Sequence, residues 1–293
     1  MKVLIFGGTG FLGSETNRLL KTYKHETYTA SVKNSKSDFT IDISKLESFN
    51  SLPLNYFDIV INCASILPGG NFLDIKNLNK TYEINILGTQ NICNWINTQV
   101  TIKKIINCST LVINKKPWKI NIEETTESFN YGKHVVYSSS KLFQELLFKT
   151  FCEKNKIALA QIRYSAIYGK SMKKIGVIWN LINQFKENNN IKLYNSKKIS
   201  FDFINVKDAA SIIKTVIDKD FNGILNAASG MEISIFELAT IIKNKIKSKA
   251  IIEESETEPF QEDRSSISLK KLSEIINVKS FIPLENGIDQ LIS

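Results

Sequence analysis

The chain has 293 residues, 43% of them hydrophobic, which suits one large α/β core with a smaller appendage and argues against disorder. Its formal charge is +9, but the lysines are scattered and only Arg18, Arg163 and Arg264 are arginines, so the excess reads as a solvated surface attractive to anionic substrates, not a nucleic-acid face. Cys63, Cys93, Cys108 and Cys152 lack C-x-x-C spacing, and no apolar run is long enough to span a bilayer. The expectation is a cytoplasmic protein with no disulfide framework, no metal site and no membrane partner.

Residues 3–6 form an apolar run suited to a buried parallel strand, and it breaks into Gly7, Gly8, Gly10 and Gly13 before an amphipathic segment begins near Phe11. Strand, glycine turn and helix in this order predict a dinucleotide site. The glycines let the backbone approach a pyrophosphate, and the unpaired amides of Phe11, Leu12 and Gly13 face it with the positive helix end. A second strand, 26–32, ends in Ala30-Ser31-Val32-Lys33, with no acid between Glu26 and Asp38 to accept from a ribose 2′-hydroxyl. Ser31 and Lys33 suit a 2′-phosphate, which points to NADP(H), with NAD(H) as the other option. Asp42 and Ile43 follow a short strand and mark the adenine end.

Residues 57–62 read as another buried strand, and Cys63, Ala64 and Ser65 turn off its end, small enough to admit a cofactor. Helical spacing over 74–98 surrounds Asn85 and Gly88. A strand at 102–108 ends in Ser109-Thr110, a helix is expected over 131–154 and a strand over 157–167. The alternation predicts an α/β fold with a doubly wound parallel sheet. Beyond Gly169 the pattern loosens. Helices are expected at 172–186, 206–219 and 234–246, strands at 191–194, 199–204 and 223–227, an acidic loop at 253–263, and short helices near Leu269 and Leu284. The division expected is 1–169 for the dinucleotide domain and 170–293 for a smaller C-terminal α/β substrate subdomain, some of whose segments return to the main sheet.

Tyr137 and Lys141 lie four apart on one helix face, so the ammonium is expected to draw the phenol toward ionisation. Tyr194 and Lys198 share that spacing but fall in a strand and polar turn. What distinguishes the first pair is Ser109-Thr110, a hydroxyl pair on the cofactor edge that can polarise the same carbonyl.

Taken together these segments resemble the extended short-chain dehydrogenase/reductases, specifically the NAD-dependent epimerase/dehydratase group acting on nucleotide sugars, with a Rossmann-like sheet. The likeness runs through Gly7-x-x-Gly10-x-x-Gly13, Asn62-Cys63-Ala64-Ser65, Asn85-x-x-Gly88-Thr89, Ser109-Thr110, Tyr137-x-x-x-Lys141, the segment from Arg163 to Gly169 and that from Phe203 to Asp208. The resemblance implies Tyr137 as acid/base, Lys141 as its tuner and nicotinamide-ribose ligand, Thr110 on the reacting oxygen with Ser109 as fallback, Asn85 near the cofactor and Arg264 on a sugar-nucleotide diphosphate. A homodimer is one option for such an enzyme.

Leu111-Val112 stand where dehydratases of that group carry Asp-Glu, which disfavours dehydration, and Asn114-Lys115 replace a usual Tyr-Gly. His134 precedes Tyr137 by one turn and reads as a solvated or core residue. The leading expectation is reduction of a 4-keto nucleotide-sugar with NADP(H), ahead of a 4-epimerase retaining NAD and of a non-catalytic dinucleotide-binding regulator.

Overall fold

The computed structural model describes residues 1–32, 37–67, 75–114, 118, 120–128, 135–258 and 263–292. Lys33, Lys115 and His134 lie outside them. The first half of the chain forms β1 (Lys2–Phe6), α1 (Phe11–Thr22), β2 (Glu26–Ser31), β3 (Phe39–Thr40), β4 (Ile59–Asn62), α2 (Ile75–Tyr82), α3 (Gly88–Ile96), β5 (Lys104–Thr110), α4 (Val135–Asn155) and β6 (Ala158–Tyr164). The second half forms β7 (Ala166–Tyr168), α5 (Val177–Lys186), β8 (Ile191–Tyr194), β9 (Ser200–Asn205), α6 (Val206–Asp218) and β10 (Gly223–Ala227). It ends with β11 (Glu232–Ser234), α7 (Ile235–Ile246), β12 (Ile252–Ser255), α8 (Lys270–Ser273) and α9 (Leu284–Ile292).

Seven strands make the main sheet in the order β10-β6-β5-β4-β1-β2-β3. From β3 to β6 its neighbours run parallel, so the sheet is doubly wound, and the strand order reverses direction between β1 and β4. A crevice opens beyond the carboxyl ends of strands at such a reversal. The buried faces of β1, β4 and β5 supply Leu4, Phe6, Val60 and Ile105, which pack with Ile92 and Trp95 of α3 and Phe148 of α4.

The chain divides into two compact units, one built from 1–115, 127–164 and 209–225, the other from 116–126, 165–208 and 226–293. The expected boundary at Gly169 is therefore displaced to 164/165. Strand β6 completes its pairing with β5 at Tyr164, and β7 pairs instead with β9 in a separate three-stranded sheet, β11-β9-β7. Two strands escape the sequence pattern, β11 and β12. The second begins what reads as an acidic loop: Ile252 to Ser255 pair in parallel with β8. The Ser234/Glu237 capping box opens α7 as expected, with the Glu237 amide donating to Ser234 Oγ and the Ser234 amide to Glu237 Oε2.

Candidate active site

The glycine turn closes against the end of β4. Gly7 has φ +73°, and a Cβ on it would lie 2.7 Å from the Ala64 amide nitrogen; a Cβ on Gly13 would lie 2.3 Å from the Gly7 carbonyl oxygen. Only glycine lets these backbones meet. Gly10 precedes α1 and no side chain caps the helix, so the amides of Phe11, Leu12 and Gly13 stay available to an anion. Ser31, at the tip of β2, is buried and accepts the Thr9 amide through Oγ, 3.2 Å away, which ties that tip to the turn. A pyrophosphate-linked dinucleotide fits this cradle.

Asp42 accepts from the Ser44 amide and hydroxyl, and the Ile43 carbonyl accepts from Asn91 Nδ2. Ile43 packs where a Cβ on Gly88 would be, 2.6 Å from its Cδ1, which explains a glycine inside a helix. Asp38, the first acid after β2, is engaged by the Thr29 amide and hydroxyl, both 2.7 Å away.

Across the sheet, a ladder of amides supports the strand ends. Asn62, Asn107 and Gln161 stand in register on β4, β5 and β6 and are buried. Asn62 Nδ2 donates to Asn107 Oδ1, Asn107 Nδ2 to Gln161 Oε1, and Gln161 Nε2 to the Glu145 carbonyl of α4. Arg163 then pairs with Glu145, 2.8 Å apart and both buried, fixing α4 against β6.

These supports bring the reactive groups together. Half-buried Tyr137, on the first turn of α4, is hydrogen-bonded through its phenol to the side chains of Thr110 and Ser65. Thr110 Oγ1 also accepts the Val112 amide. Ser109 Oγ is buried and, among the described residues, without a hydrogen-bond partner, so the hydroxyl that meets the phenol is Thr110. Lys141 Nζ is buried, 2.7 Å from the Cys108 carbonyl and 2.5 Å from Gln144 Oε1. Cys63 does not turn its thiol to an open site, since its Sγ lies 3.5 Å from Cys108 Sγ.

Two expectations change. Burial pushes the Tyr137 phenol up to about 12, against the opposing pull of Ser65 and Thr110, so the protein alone does not draw it down. Desolvation lowers Lys141 to about 8. Asn85, expected near a cofactor, is committed to partners inside the protein. It lies in a π-helical turn (Glu83–Leu87) between α2 and α3, is fully buried, and every polar side-chain atom is engaged within the protein. Its Oδ1 accepts from Ser65 Oγ and the Ile66 amide; its Nδ2 donates to the Ile66 carbonyl and Ser140 Oγ. A π turn widens the helix by one residue and re-aims its side chains. Asn85 thereby holds Ser65 on Tyr137.

Sequence reasoning missed the roles of Gln144, Glu145 and the amide ladder. A signal was present in α4, where Lys141, Gln144 and Glu145 share the buried phase of Phe148 and Cys152.

Arg264 belongs to the second unit, where its Nε and Nη2 grip both Glu232 oxygens at 3.1 and 2.6 Å and hold that carboxyl at about 2. Tyr194, at the end of β8, is exposed and Lys198 pairs with Glu256, so that spacing carries no site. Among the described residues no cluster of metal-ligating side chains occurs and no helix is long and apolar enough to cross a membrane.

A doubly wound sheet with a glycine cradle at its switch point and a Thr, Tyr and Lys set on β5 and α4 defines a dinucleotide-dependent enzyme of the short-chain dehydrogenase type. Residues 3–228 match the model of the NAD dependent epimerase/dehydratase family, and the chain belongs to it. A putative UDP-glucose 4-epimerase of Methanocaldococcus jannaschii is 26% identical over 308 residues, covering 99% of this chain and 97% of that protein. The structure of Thermus thermophilus UDP-glucose 4-epimerase in complex with NAD superposes with a TM-score of 0.81 at 19% identity, covering 100% of this chain and 98% of the other. UDP-glucuronic acid 4-epimerase from Bacillus cereus, in complex with UDP-glucuronic acid and NAD, gives 0.82 at 18% identity with coverages of 100% and 98%.

Proposed function

We propose that this enzyme inverts C4 of a nucleotide-activated sugar while keeping NAD bound through the cycle. The observation that carries the reading is the Thr110 and Tyr137 hydroxyl pair beside Lys141, with Leu111 and Val112 following Thr110 in place of proton-transferring acids. Relatives named as UDP-sugar 4-epimerases support it over the reductase expected from sequence, and make a UDP-sugar the first substrate to try.

When bound, a nicotinamide dinucleotide would supply the hydride acceptor and donor for C4. Gly7, Gly10, Gly13 and the amides of Phe11 and Leu12 hold its pyrophosphate, Asp42 and Ile43 its adenine end, and Lys141 its nicotinamide ribose. Tyr137, as phenolate, removes the C4 hydroxyl proton as C4 loses hydride. Thr110 donates to the same oxygen, which becomes a ketone oxygen, and Lys141 offsets the phenolate charge. Once the 4-keto sugar presents its other face, Tyr137 would give the proton back to the same oxygen, and with hydride both taken and returned the cycle would be redox-neutral. Within the second unit, Arg264, paired with Glu232, lines a polar pocket of about 290 Å³ with Lys197, Lys198 and Glu237, and is the residue the resemblance assigns to a diphosphate.

The test is incubation with UDP-sugars and no added cofactor, following the C4 epimer by NMR and releasing NAD by denaturation. A second reading, an NADP(H)-dependent 4-keto reductase, rests on the β2 tip, where Ser31 stands and Asp38 is committed to Thr29. Net NADPH oxidation by a 4-keto sugar, with no retained NAD, would replace the first reading by the second.

Homodimerisation belongs to the same reading. Tyr82, Leu87, Phe143 and Leu146 are exposed on α4 and on the helix it packs against, an apolar face that a second copy would cover. Leu146→Glu should convert a dimer to monomer in sedimentation; a wild-type monomer would sink this assignment.

A further inference from the structure

Lys141 has two acceptors in the protein, and the second is a side chain with no part in the steps above. Gln144 stands three residues on, on the same face of α4, and is fully buried. Its Oε1 takes Lys141 Nζ at 2.5 Å, while Nε2 donates to Thr89 Oγ1 at 2.7 Å and reaches the Asn85 carbonyl at 3.5 Å. The sense of this amide is forced. An ammonium can only donate, so the oxygen must face it. Thr89 Oγ1 gives its own proton to the Asn85 carbonyl, 2.7 Å away, so it accepts from Gln144.

We infer that Gln144 is a positioning residue for Lys141, binding its ammonium and tying it to the Asn85–Thr89 turn of the neighbouring helix. Asn85 thus governs both halves of the catalytic pair: its side chain holds Ser65 on Tyr137, and its carbonyl with Thr89 fixes the amide that holds Lys141. Gln144 also favours the charged lysine. The groups facing Lys141 are few. Glu145, on its own helix, is paired with Arg163, and the Cys108 and Cys63 thiols lie on β5 and after β4; desolvation opposes them all and keeps the lysine at about 8. Gln144 Oε1, like the Cys108 carbonyl, is a neutral acceptor that favours the charged form of the lysine.

The inference rests on Lys141 belonging to the catalytic set, but its test needs no sugar. Protein labelled with 13Cε-lysine is titrated by NMR, the Lys141 resonance being assigned by its loss in Lys141→Met. Gln144→Leu should move its midpoint about one pH unit lower, and weaken dinucleotide binding at pH 8 roughly ten-fold. Gln144→Glu, similar in shape, should move the midpoint up. A tie that merely stiffens the helices would lower thermal stability and leave both midpoints in place, and an unmoved midpoint in either variant overturns the inference. Should Gln144→Leu fail to fold, Gln144→Glu decides alone. Both shifts in a protein that epimerises no nucleotide-sugar would sink the proposed function and leave Gln144 in its role.

Discussion

With only protein groups around it, Tyr137 keeps its proton up to about 12 while Lys141 gives up its own near 8, the reverse of the usual help an ammonium gives a phenol. Burial sets both directions, because each side chain lies where its charged form loses water. On the proposed mechanism the phenolate would therefore need the positive charge of a bound nicotinamide ring as well as Thr110. Tyr137→Phe should lower turnover roughly a hundred- to ten-thousand-fold while leaving dinucleotide affinity near wild type, measured by fluorescence titration. Retained turnover would remove Tyr137 from the mechanism. At this scale the sequence was readable where chemistry and spacing coincide, as in Thr110, Tyr137, Lys141 and the glycines. It did not reveal how Ser65 and Asn85 engage each other and Tyr137, through contacts that join segments 19 to 72 residues apart and depend on one π turn that no periodicity announces.

The elements carry their own tests. The ladder from Asn62 through Asn107 to Gln161 has no water to fall back on, so Asn107→Leu leaves one donor and one acceptor stranded in the sheet. The expected loss is about 3 kcal/mol in urea unfolding; a change under about 1 kcal/mol would show that the neighbours find other partners. In the second unit, Arg264 holds Glu232 at about 2, below the ordinary 4.5. A depressed carboxyl contributes stability that is present above 4.5 and fades as pH falls toward 2. Thermal melts of wild type and Glu232→Gln should therefore differ at pH 6 and converge in that window; parallel curves would deny the pair any role in acid stability. Strands β11 and β12 were hidden for a related reason. Each is three or four residues long, and β12 offers Ile252-Glu253-Glu254-Ser255, whose pairing with β8 is set by tertiary partners and not by its own alternation.

For the whole molecule, the order of segments matters more than the position of any boundary. The first unit takes in 209–225, far downstream of Gly169, and the second takes in 116–126, far upstream. The sequence displayed the alternation that specifies the main sheet and pointed to C-terminal segments returning to it, yet not which ones, because a return segment such as β10 looks like any other strand until its neighbours are known. A fragment of residues 1–169 lacks β10 at the sheet edge and the Asp220 partner of Lys104. It should express as an aggregating or poorly folded protein with no dinucleotide binding. A soluble, cooperatively melting 1–169 fragment that binds NAD would contradict that.

The π turn at Glu83–Leu87 has a consequence in the arithmetic of codons. It holds one residue more than an α turn needs. Losing a single codon there would repair the helix and improve its local hydrogen bonding, while turning whatever then stands at the Asn85 position away from Ser65 by about 100°. In a library of one-residue deletions, the variants inside this turn should keep their fold yet lose turnover; deletion variants that retain turnover would show that the extra residue serves no catalytic placement.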